Sequence, residues 1–187
     1  MLAAINKVPR HAFMDSGFLN FSYKDKAFPI GANQTISQPF TVAFQTELMN
    51  VQKNDKILEV GTGSGYQTAV LLEMGARIYT IERQKELFLK SQALLPKLGY
   101  RPHFFLGDGY EGLPTYGPFD KILITAGAPE IPVKLLEQLK TGGFMVIPLG
   151  PSNSQTMTVI KKISEKDFEK TEHGTFVFVP LLKGIEK

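Results

Sequence analysis

The sequence predicts an α/β fold in which a mostly parallel, doubly wound sheet finishes with an antiparallel pair of strands at the C-terminal end. From Asp55 onward, short apolar strands alternate with helical segments, which is typical of βαβ units with right-handed crossovers. Glycine follows several of these elements at points where the chain has to turn. The last two predicted strands have no room for a crossover helix between them, so they must pair antiparallel.

Each element of the alternating region is assigned from its apolar periodicity and from the residues that end it. Gly75 and Gly99 end the first two helices, and Gly142-Gly143 are expected to end the third one before the fifth strand begins. The predicted strands cover residues 56–60, 77–81, 103–106, 119–125 and 144–149. The predicted helices cover residues 66–74, 84–98 and 132–140.

The two ends of the chain depart from this alternation. Residues 156–163 and 175–181 predict the antiparallel pair, joined by the charged connection SEKDFEKTEHG. Near the N-terminus, a helix is expected over residues 40–49, beginning just after Ser37. Pro39 fits its first position, where a missing N–H costs nothing.

Composition excludes several classes of function. The 187 residues carry 21 Lys and Arg against 18 Asp and Glu, a net charge of +3, and no cysteine. The chain therefore has no disulfide, thiol nucleophile, Cys-ligated zinc or iron–sulfur cluster. Its basic residues are scattered and its three histidines lack metal-ligand spacing, so neither nucleic acid nor a metal is an expected partner. No apolar run approaches the roughly 18–20 residues of a membrane span, and no signal peptide is recognisable, so a cytoplasmic location without a membrane partner is expected.

Three features fall at the carboxyl ends of successive predicted strands, where ligands bind in open parallel sheets. The loop Gly61-Thr62-Gly63-Ser64-Gly65 follows the first strand, and its glycines allow a sharp turn and a close ligand. Glu82 ends the second strand, 21 positions after Gly61, about the spacing at which an acid meets a ribose diol. Asp108-Gly109 follow the third strand and suit an adenine edge. Each feature alone has a simpler interpretation as a turn or a helix start, but together they predict a nucleoside-bearing cofactor.

The spacing of the glycines narrows the kind of nucleoside. Here they read G-x-G-x-G, and Tyr66 stands where the dinucleotide fingerprint G-x-G-x-x-G has its third glycine. No Gly-Lys-Ser/Thr follows, so a P-loop is excluded. A glycine turn with one acid after each of the next two strands fits a cofactor without phosphates better.

Residues 58–65, LEVGTGSG, resemble motif I of the class I S-adenosylmethionine-dependent methyltransferases, which have a Rossmann-like fold. Further segments, in order along the chain, resemble the protein-L-isoaspartate O-methyltransferase family. They are PIG at 29–31, QTISQP at 34–39, GDG at 107–109, PFD at 118–120, AGAP at 126–129, LKTGG at 139–143 and FVPL at 178–181. The likeness covers nearly the whole chain, and the TISQP segment is much more particular to this family than motif I.

The resemblance implies a role for individual residues. S-adenosylmethionine, with S-adenosylhomocysteine as product, would be the cofactor, and isoaspartyl-containing peptides and proteins the substrates of a monomeric enzyme. The cofactor residues would be Gln34, Thr35, Ile36, Gly61, Gly63, Ser64, Glu82, Arg83, Asp108 and Gly109; the catalytic hydroxyl would be Ser37, and Val179, Pro180 and Leu181 would join it in the peptide cleft. A single domain is expected, with residues 1–50 as an N-terminal cap and active-site segment, 51–150 as the cofactor-binding core and 151–187 as the C-terminal strand pair.

Two departures from the family pattern are visible. Its members usually carry a further N-terminal helix ahead of the segment matching residues 2–10, and some have a polar residue where Leu182 stands. The absence of a catalytic histidine from the motifs agrees with the chemistry of this family. An α-carboxylate, with a pKa of about 3.5, is ionised at pH 7, so its methylation needs no general base.

Other interpretations stay open at this level. Ser37 could instead bind a free N–H at the mouth of the following helix. The chain could methylate nucleic acid or a small molecule, or be a non-catalytic binding module of the same fold. Thr125-Ala126-Gly127-Ala128-Pro129 offers no ring for stacking on a base, which argues against nucleic acid. The presence of Ser37, Glu82 and Asp108 together argues against a module without turnover.

Overall fold

The computed structural model describes residues 1–186 and contains five helices and nine strands, besides short 3₁₀ segments, within that part of the chain. The helices are α1 (Leu2–Lys7), α2 (Pro39–Leu48), α3 (Tyr66–Glu73), α4 (Lys85–Lys97) and α5 (Val133–Glu137). The strands are β1 (Phe28–Gly31), β2 (Gln34–Ile36), β3 (Lys56–Val60), β4 (Arg77–Glu82), β5 (His103–Leu106), β6 (Phe119–Ile124), β7 (Leu139–Leu149), β8 (Gln155–Lys162) and β9 (Phe168–Phe176).

Seven of these strands form one sheet in the order β5-β4-β3-β6-β7-β8-β9. The strands β3 to β7 are parallel, whereas β8 and β9 are antiparallel to their neighbours. The strand order reverses beside β3, which lies between β4 and β6, and ligands bind at such a point. The predicted fold class, a doubly wound parallel sheet with a C-terminal antiparallel pair, is confirmed.

The burial of the central strand β3 explains why most of its residues are apolar. Ile57, Leu58 and Val60 of β3 are all buried because the central strand of a parallel sheet is covered on both faces. Helix α3 is buried along most of its length, with Ala69, Val70 and Leu71 completely inside. The first turn of α3 is therefore held rigidly behind the glycine loop.

The predicted third helix is too long. Helix α5 ends at Glu137, and β7 already begins at Leu139, which pairs with Phe119. Gly143 thus lies inside a strand, where a Cβ would approach the carbonyl oxygen of Asp120 to 2.6 Å. Gly143, which was expected to end a helix, instead allows β7 to pass close to β6.

The last predicted strand is displaced along the chain. β9 covers Phe168–Phe176, so most of the supposed charged connection is itself a strand. Ser164 and Asp167 close a tight turn through their side chains, with the hydroxyl donating to the carboxylate at 2.6 Å. Residues 177–181 follow β9, and Pro180 makes one isolated parallel bridge with Gly127. The charges of β9 misled the prediction because this strand lies at the edge of the sheet, where charged side chains reach water.

Near the N-terminus only the helix that begins at Pro39 was predicted; the other elements before it were not. Helix α2 begins at Pro39, and β1 and β2 form a separate antiparallel hairpin before it. No helix between residues 1 and 186 combines the length and the apolar character that crossing a bilayer requires.

Candidate functional site

A cleft opens at the carboxyl ends of the central parallel strands, where the strand order reverses. It holds about 880 Å³ of empty space, counted together with the open solvent at its mouth. Segments 34–37, 60–64, 81–84 and 179–182 line it, together with Val42, Gln45, Tyr66, Gln67, Leu87, Gly109, Thr125 and Ala126. Four stretches that are far apart in the sequence therefore meet around one cavity.

The glycine loop after β3 forms one wall because its conformation excludes side chains. Gly61, Gly63 and Gly65 have φ angles of 96°, 54° and 86°, in the left-handed region that favours glycine. A Cβ on Gly61 would also overlap the hydroxyl of Thr125, which donates to the carbonyl of Gly61 at 2.7 Å. The loop therefore presents bare backbone to the cavity.

Glu82, at the end of β4, is held against this loop. One carboxylate oxygen accepts from the backbone N–H of Gly63 at 2.9 Å and the other from that of Gln84 at 2.8 Å. The residue is only 5% exposed and lines the cavity. Each carboxylate oxygen has a second lone pair, so Glu82 retains acceptor capacity for two hydroxyl groups of a ligand.

Arg83 and Asp108 both form hydrogen bonds with the segment at residues 184–186. The Arg83 guanidinium donates to the carbonyl of Gly184 at 3.1 Å and to the Glu186 carboxylate at 2.7 Å. The Asp108 carboxylate accepts from the backbone N–H groups of Tyr110 and Gly184, at 2.8 and 2.7 Å. Arg83 lines the cavity, but Asp108 does not.

Gly109 reaches the wall where Asp108 does not. A Cβ on Gly109 would approach Val60 Cγ1 to 2.5 Å, so only glycine allows this turn to pack against β3. The carboxylate of Asp108 keeps free lone pairs beside its two backbone partners. Of the two residues predicted to meet the adenine, Gly109 is part of the cavity wall, whereas Asp108 binds the N–H of Gly184 in the segment that follows Leu182.

The hairpin of β1 and β2 brings residues 34–37 to the cavity. Ile36 is buried, Gln34 and Ser37 are half-buried, and Thr35 is exposed; all four line the cavity. No group within residues 1–186 forms a hydrogen bond with the Ser37 hydroxyl. Gln38 precedes the first turn of α2 without a side-chain cap, and the N–H of Phe40 is bound by Asp25 at 2.8 Å. Ser37 therefore does not cap this helix.

The predicted peptide-cleft residues also line the cavity. Gly127 holds them: its N–H donates to the carbonyl of Val179, and its carbonyl accepts from the N–H of Leu181, both at 2.8 Å. Pro180 lies between these two bonds. Their place was predicted at the end of the last strand, but they lie beyond it, in the extended segment that follows β9.

Sequence reasoning missed the role of Glu59, which lies beneath the glycine loop. One of its oxygens accepts from the hydroxyls of Thr68 and Thr80, at 2.5 and 2.7 Å, and Thr80 also contacts Thr62 of the loop at 2.6 Å. Burial raises the pKa of Glu59 to about 7, opposed by the two threonine hydrogen bonds and assisted by the charge of Glu82. Its other oxygen has no partner in the described chain. A glutamate inside an otherwise apolar strand was the signal.

Two glutamines were missed as well. Gln45 of α2 donates to the carbonyl of Ile124 at 3.0 Å, and Gln67 of α3 donates to the hydroxyl of Thr46 at 2.9 Å. Both side chains are nearly buried and line the cavity. They were assigned to helices from periodicity alone, since nothing in a helical pattern tells which polar residue faces a cavity.

The lining of the cavity contains few ionisable side chains. Its ionisable lining residues are Tyr66, Glu82 and Arg83, so no histidine or lysine stands ready as a base. Between residues 1 and 186, no three His, Cys, Asp or Glu side chains are grouped so that they could hold a metal ion.

Comparison with known proteins gives a family. A family model described as protein-L-isoaspartate(D-aspartate) O-methyltransferase matches residues 1–186. The chain is 62% identical over 184 residues to the protein-L-isoaspartate O-methyltransferase of Flavobacterium psychrophilum, covering 98% of this chain and 86% of that protein. The counterpart from Christiangramia forsetii is 60% identical with the same coverage. A crystal structure of a putative protein-L-isoaspartate O-methyltransferase from Plasmodium falciparum, in complex with S-adenosyl-L-homocysteine, superposes with a TM-score of 0.83 at 26% identity, over 97% of this chain and 89% of that one.

Proposed function

The chain belongs to the protein-L-isoaspartate(D-aspartate) O-methyltransferase family and is an S-adenosylmethionine-dependent methyltransferase; we propose that the cavity described above is where it methylates the α-carboxylate of isoaspartyl residues. The observation that carries this proposal is the meeting of two walls. The glycine loop with Glu82 lines the same cavity as the segment that ends in Ser37. A cofactor wall and an acceptor wall are thereby brought together.

The residues of the first wall fit an adenosyl group. The bare backbone of Gly61 and Gly63 permits close approach, and the free lone pairs of Glu82 suit the two hydroxyls of a ribose. Gly109 lies in the cavity wall, packed against Val60, and Asp108 stands next to it with free lone pairs as a second acceptor for an adenine edge. When bound, S-adenosylmethionine supplies a methyl group activated by the positive sulfonium.

The acceptor needs positioning more than activation. An α-carboxylate is already ionised at pH 7, which agrees with a cavity that offers no histidine or lysine base. Holding one carboxylate oxygen in line with the methyl group can contribute several kcal/mol, up to roughly 7–11 in the best cases. We propose that Ser37 provides this orientation by donating a hydrogen bond to the carboxylate.

The surroundings of Ser37 support that role. Its hydroxyl has no hydrogen-bond partner in residues 1–186, and the helix behind it is capped by Asp25. The hydroxyl is therefore free to donate to a ligand. The residue is half-buried, so a carboxylate bound there loses part of its water and its negative charge is less screened.

The third wall, residues 179–182, is the place we propose for the peptide chain of the substrate. The carbonyl of Val179 and the N–H of Leu181 bind Gly127, which holds this segment in place. We assign the contacts with a substrate to the side chains of Val179 and Leu181 and to Pro180 between them. Leu182, where some family members have a polar residue, also lines the cavity and adds apolar surface.

We further propose that the enzyme works as a monomer in the cytoplasm and that its substrates are isoaspartyl-containing peptides and proteins rather than nucleic acid. The scattered basic residues argue against nucleic acid as a substrate. Sedimentation at several concentrations tests the monomer, and cell fractionation tests the location.

One experiment tests the substrate directly. Labelled S-adenosylmethionine is offered with two peptides that differ only in aspartate against isoaspartate, and with RNA. We expect base-labile label on the isoaspartyl peptide alone, because a carboxyl methyl ester hydrolyses in base. Equal labelling of both peptides, or label on RNA only, would contradict the proposed substrate.

A further inference from the structure

We propose that Glu59, buried beneath the glycine loop, is a positioning residue that holds Thr62 of the loop through the hydroxyl of Thr80 and thereby sets the affinity for the adenosyl cofactor. This inference rests on the proposed function, since it takes the cofactor to bind against the glycine loop. Within residues 1–186, the Glu59 side chain forms no hydrogen bond with the loop itself and does not line the cavity, so its influence has to pass through Thr80.

Three side chains form a continuous series of hydrogen bonds from the central strand to the loop. One Glu59 oxygen accepts from the Thr80 hydroxyl at 2.7 Å, and the hydroxyls of Thr80 and Thr62 are 2.6 Å apart. A carboxylate can only accept, so the single hydroxyl proton of Thr80 points to Glu59, and Thr62 must donate to Thr80. Glu59 therefore sets the direction of both hydroxyls.

Thr62 anchors the middle of the glycine loop. It stands between Gly61 and Gly63, whose φ angles are 96° and 54°, and it lines the cavity. Glycine permits these backbone angles but does not fix them, because it has no side chain and many other conformations are open to it. The Thr62 side chain, only 5% exposed, is tied to β4 by its hydrogen bond to Thr80. Without this bond, the bare backbone on which the cofactor is proposed to lie would be less well ordered.

Stability alone does not explain a carboxylate at this position. Glu59 is completely buried, and one of its oxygens has no partner within residues 1–186. Burial raises its pKa to about 7, opposed by the hydrogen bonds of Thr68 and Thr80 and assisted by the charge of Glu82. An apolar side chain of similar size often costs less free energy than a buried charge. An apolar side chain, however, cannot accept from a hydroxyl and so cannot orient Thr80 and Thr62.

The series of hydrogen bonds survives protonation of Glu59. Thr68 and Thr80 both donate to one carboxylate oxygen and occupy its two lone pairs, so a proton adds to the other, free oxygen. The first oxygen stays an acceptor in both forms. A glutamine can present its amide oxygen to the same two hydroxyls, so Glu59→Gln retains the series, whereas Glu59→Leu removes its acceptor.

Thr80 and Thr68 provide a matched pair of variants. Their hydroxyls donate to the same Glu59 oxygen, at 2.7 and 2.5 Å, and both residues are fully buried. Thr80 continues the series to Thr62, whereas the Thr68 hydroxyl, on α3, has no other partner in the described part of the chain. Valine removes either hydroxyl and keeps the branched shape. Both replacements should therefore cost similar stability, but only Thr80→Val disconnects the loop.

Titration calorimetry with S-adenosylhomocysteine, combined with urea unfolding, tests this role. We expect Thr80→Val to raise the dissociation constant about two- to tenfold, which corresponds to the net contribution of one hydrogen bond. Thr68→Val should lower the unfolding midpoint to a similar extent and leave the dissociation constant unchanged. Thr80→Ser returns the hydroxyl and should recover the affinity.

The Glu59 variants test the acceptor itself. Glu59→Leu should weaken binding as much as Thr80→Val, and Glu59→Gln should bind within about twofold of the unmodified protein. The threonine pair keeps the test valid if Glu59→Leu folds poorly. An unchanged affinity in Thr80→Val, or equal losses of affinity in Thr80→Val and Thr68→Val, overturns the positioning role. Equal weakening in Glu59→Gln and Glu59→Leu overturns it as well, because the acceptor oxygen would then not be what matters.

Glu82→Ala separates this inference from the proposed function, since Glu82 lines the cavity and binds the loop at Gly63. If Glu82→Ala weakens the binding of S-adenosylhomocysteine and Thr80→Val does not, the role of Glu59 fails while the proposed cofactor site stands. If neither variant weakens it, the proposed site fails and this inference fails with it.

Discussion

The carboxylate of Asp25 accepts a hydrogen bond from the backbone N–H of Phe40 at 2.8 Å, across 15 positions of the chain. This bond satisfies one of the free N–H groups in the first turn of α2. The loop that carries Asp25 is itself held by the buried guanidinium of Arg10, which donates to the carbonyls of Ser22 at 2.8 Å and Lys26 at 3.4 Å. Asp25 thus caps the start of α2, and the hydroxyl of Ser37 is left available for a ligand.

Loss of this cap should weaken both stability and activity. Asp25→Ala removes the acceptor, and we expect the free energy of unfolding to fall by about 0.5–2 kcal/mol, the usual range for a helix cap. The kcat/KM for an isoaspartyl peptide should fall as well, because the chain leading from Ser37 into α2 is less firmly held. Urea unfolding and initial rates measure the two effects.

Asp25→Asn is the matched comparison because its amide oxygen can still accept from Phe40. It should recover most of the stability and activity. Asp15→Ala, at an exposed position whose carboxylate binds no backbone N–H of α2, should change neither. If Asp25→Asn behaved like Asp25→Ala, the cap would not be the cause.

Removal of the Ser37 hydroxyl should affect turnover more than cofactor affinity. Ser37→Ala deletes the proposed donor to the acceptor carboxylate, and a hydrogen bond to a charged group contributes about 1.5–3 kcal/mol. We expect kcat to fall by roughly 10- to 150-fold, with the dissociation constant of S-adenosylhomocysteine little changed. Steady-state kinetics and calorimetry separate these quantities, and an unaltered kcat would remove Ser37 from the catalytic residues.

Loss of the Glu82 carboxylate should weaken cofactor binding. Glu82→Ala removes the proposed acceptor for the ribose hydroxyls and also leaves the N–H groups of Gly63 and Gln84 without their partner. We expect S-adenosylhomocysteine to bind more weakly by about 1.5–3 kcal/mol. Titration calorimetry measures this directly. Glu86→Ala, which removes an exposed carboxylate paired only with Lys90 among the described residues, should leave the affinity unchanged; equal losses in the two variants would contradict the role of Glu82.

The buried Glu59 should make stability depend on pH. Burial raises its pKa from 4.5 to about 7, so between these values the folded chain holds a proton that the unfolded chain releases. The free energy of unfolding therefore falls as the pH rises through this window and levels off above pH 7. A shift of this size corresponds to roughly 3 kcal/mol.

Glu59→Gln carries no titratable proton and should flatten this dependence. We expect the variant to lose about 2 kcal/mol less than the unmodified protein between pH 5 and pH 8. Denaturant unfolding at several pH values measures it, with Glu111→Gln, an exposed site, as the control that keeps the original slope. Parallel curves for Glu59→Gln and the unmodified protein would show that Glu59 does not titrate in this range.

Local patterns were enough to predict the parallel strands and the cavity wall. The apolar runs of β3, β4 and β6, and the glycines between β3 and α3, carry their signal within a few neighbouring residues. Contacts between residues far apart in the sequence cannot be recognised from such local patterns. The cap on Phe40 comes from Asp25, and the position of residues 179–181 depends on Gly127, so neither could be read from a short window. Edge strand β9 was misassigned because its charges resemble those of a loop.

The assigned roles of the cavity residues rest on S-adenosylhomocysteine binding between the glycine loop and Ser37. A crystal structure of the protein with that molecule is the most direct test. We expect the ribose hydroxyls within hydrogen-bonding distance of Glu82, and the sulfur on the side of the cavity where Ser37 lies. Density for the molecule at any place other than beside residues 61–65 would contradict the proposed site.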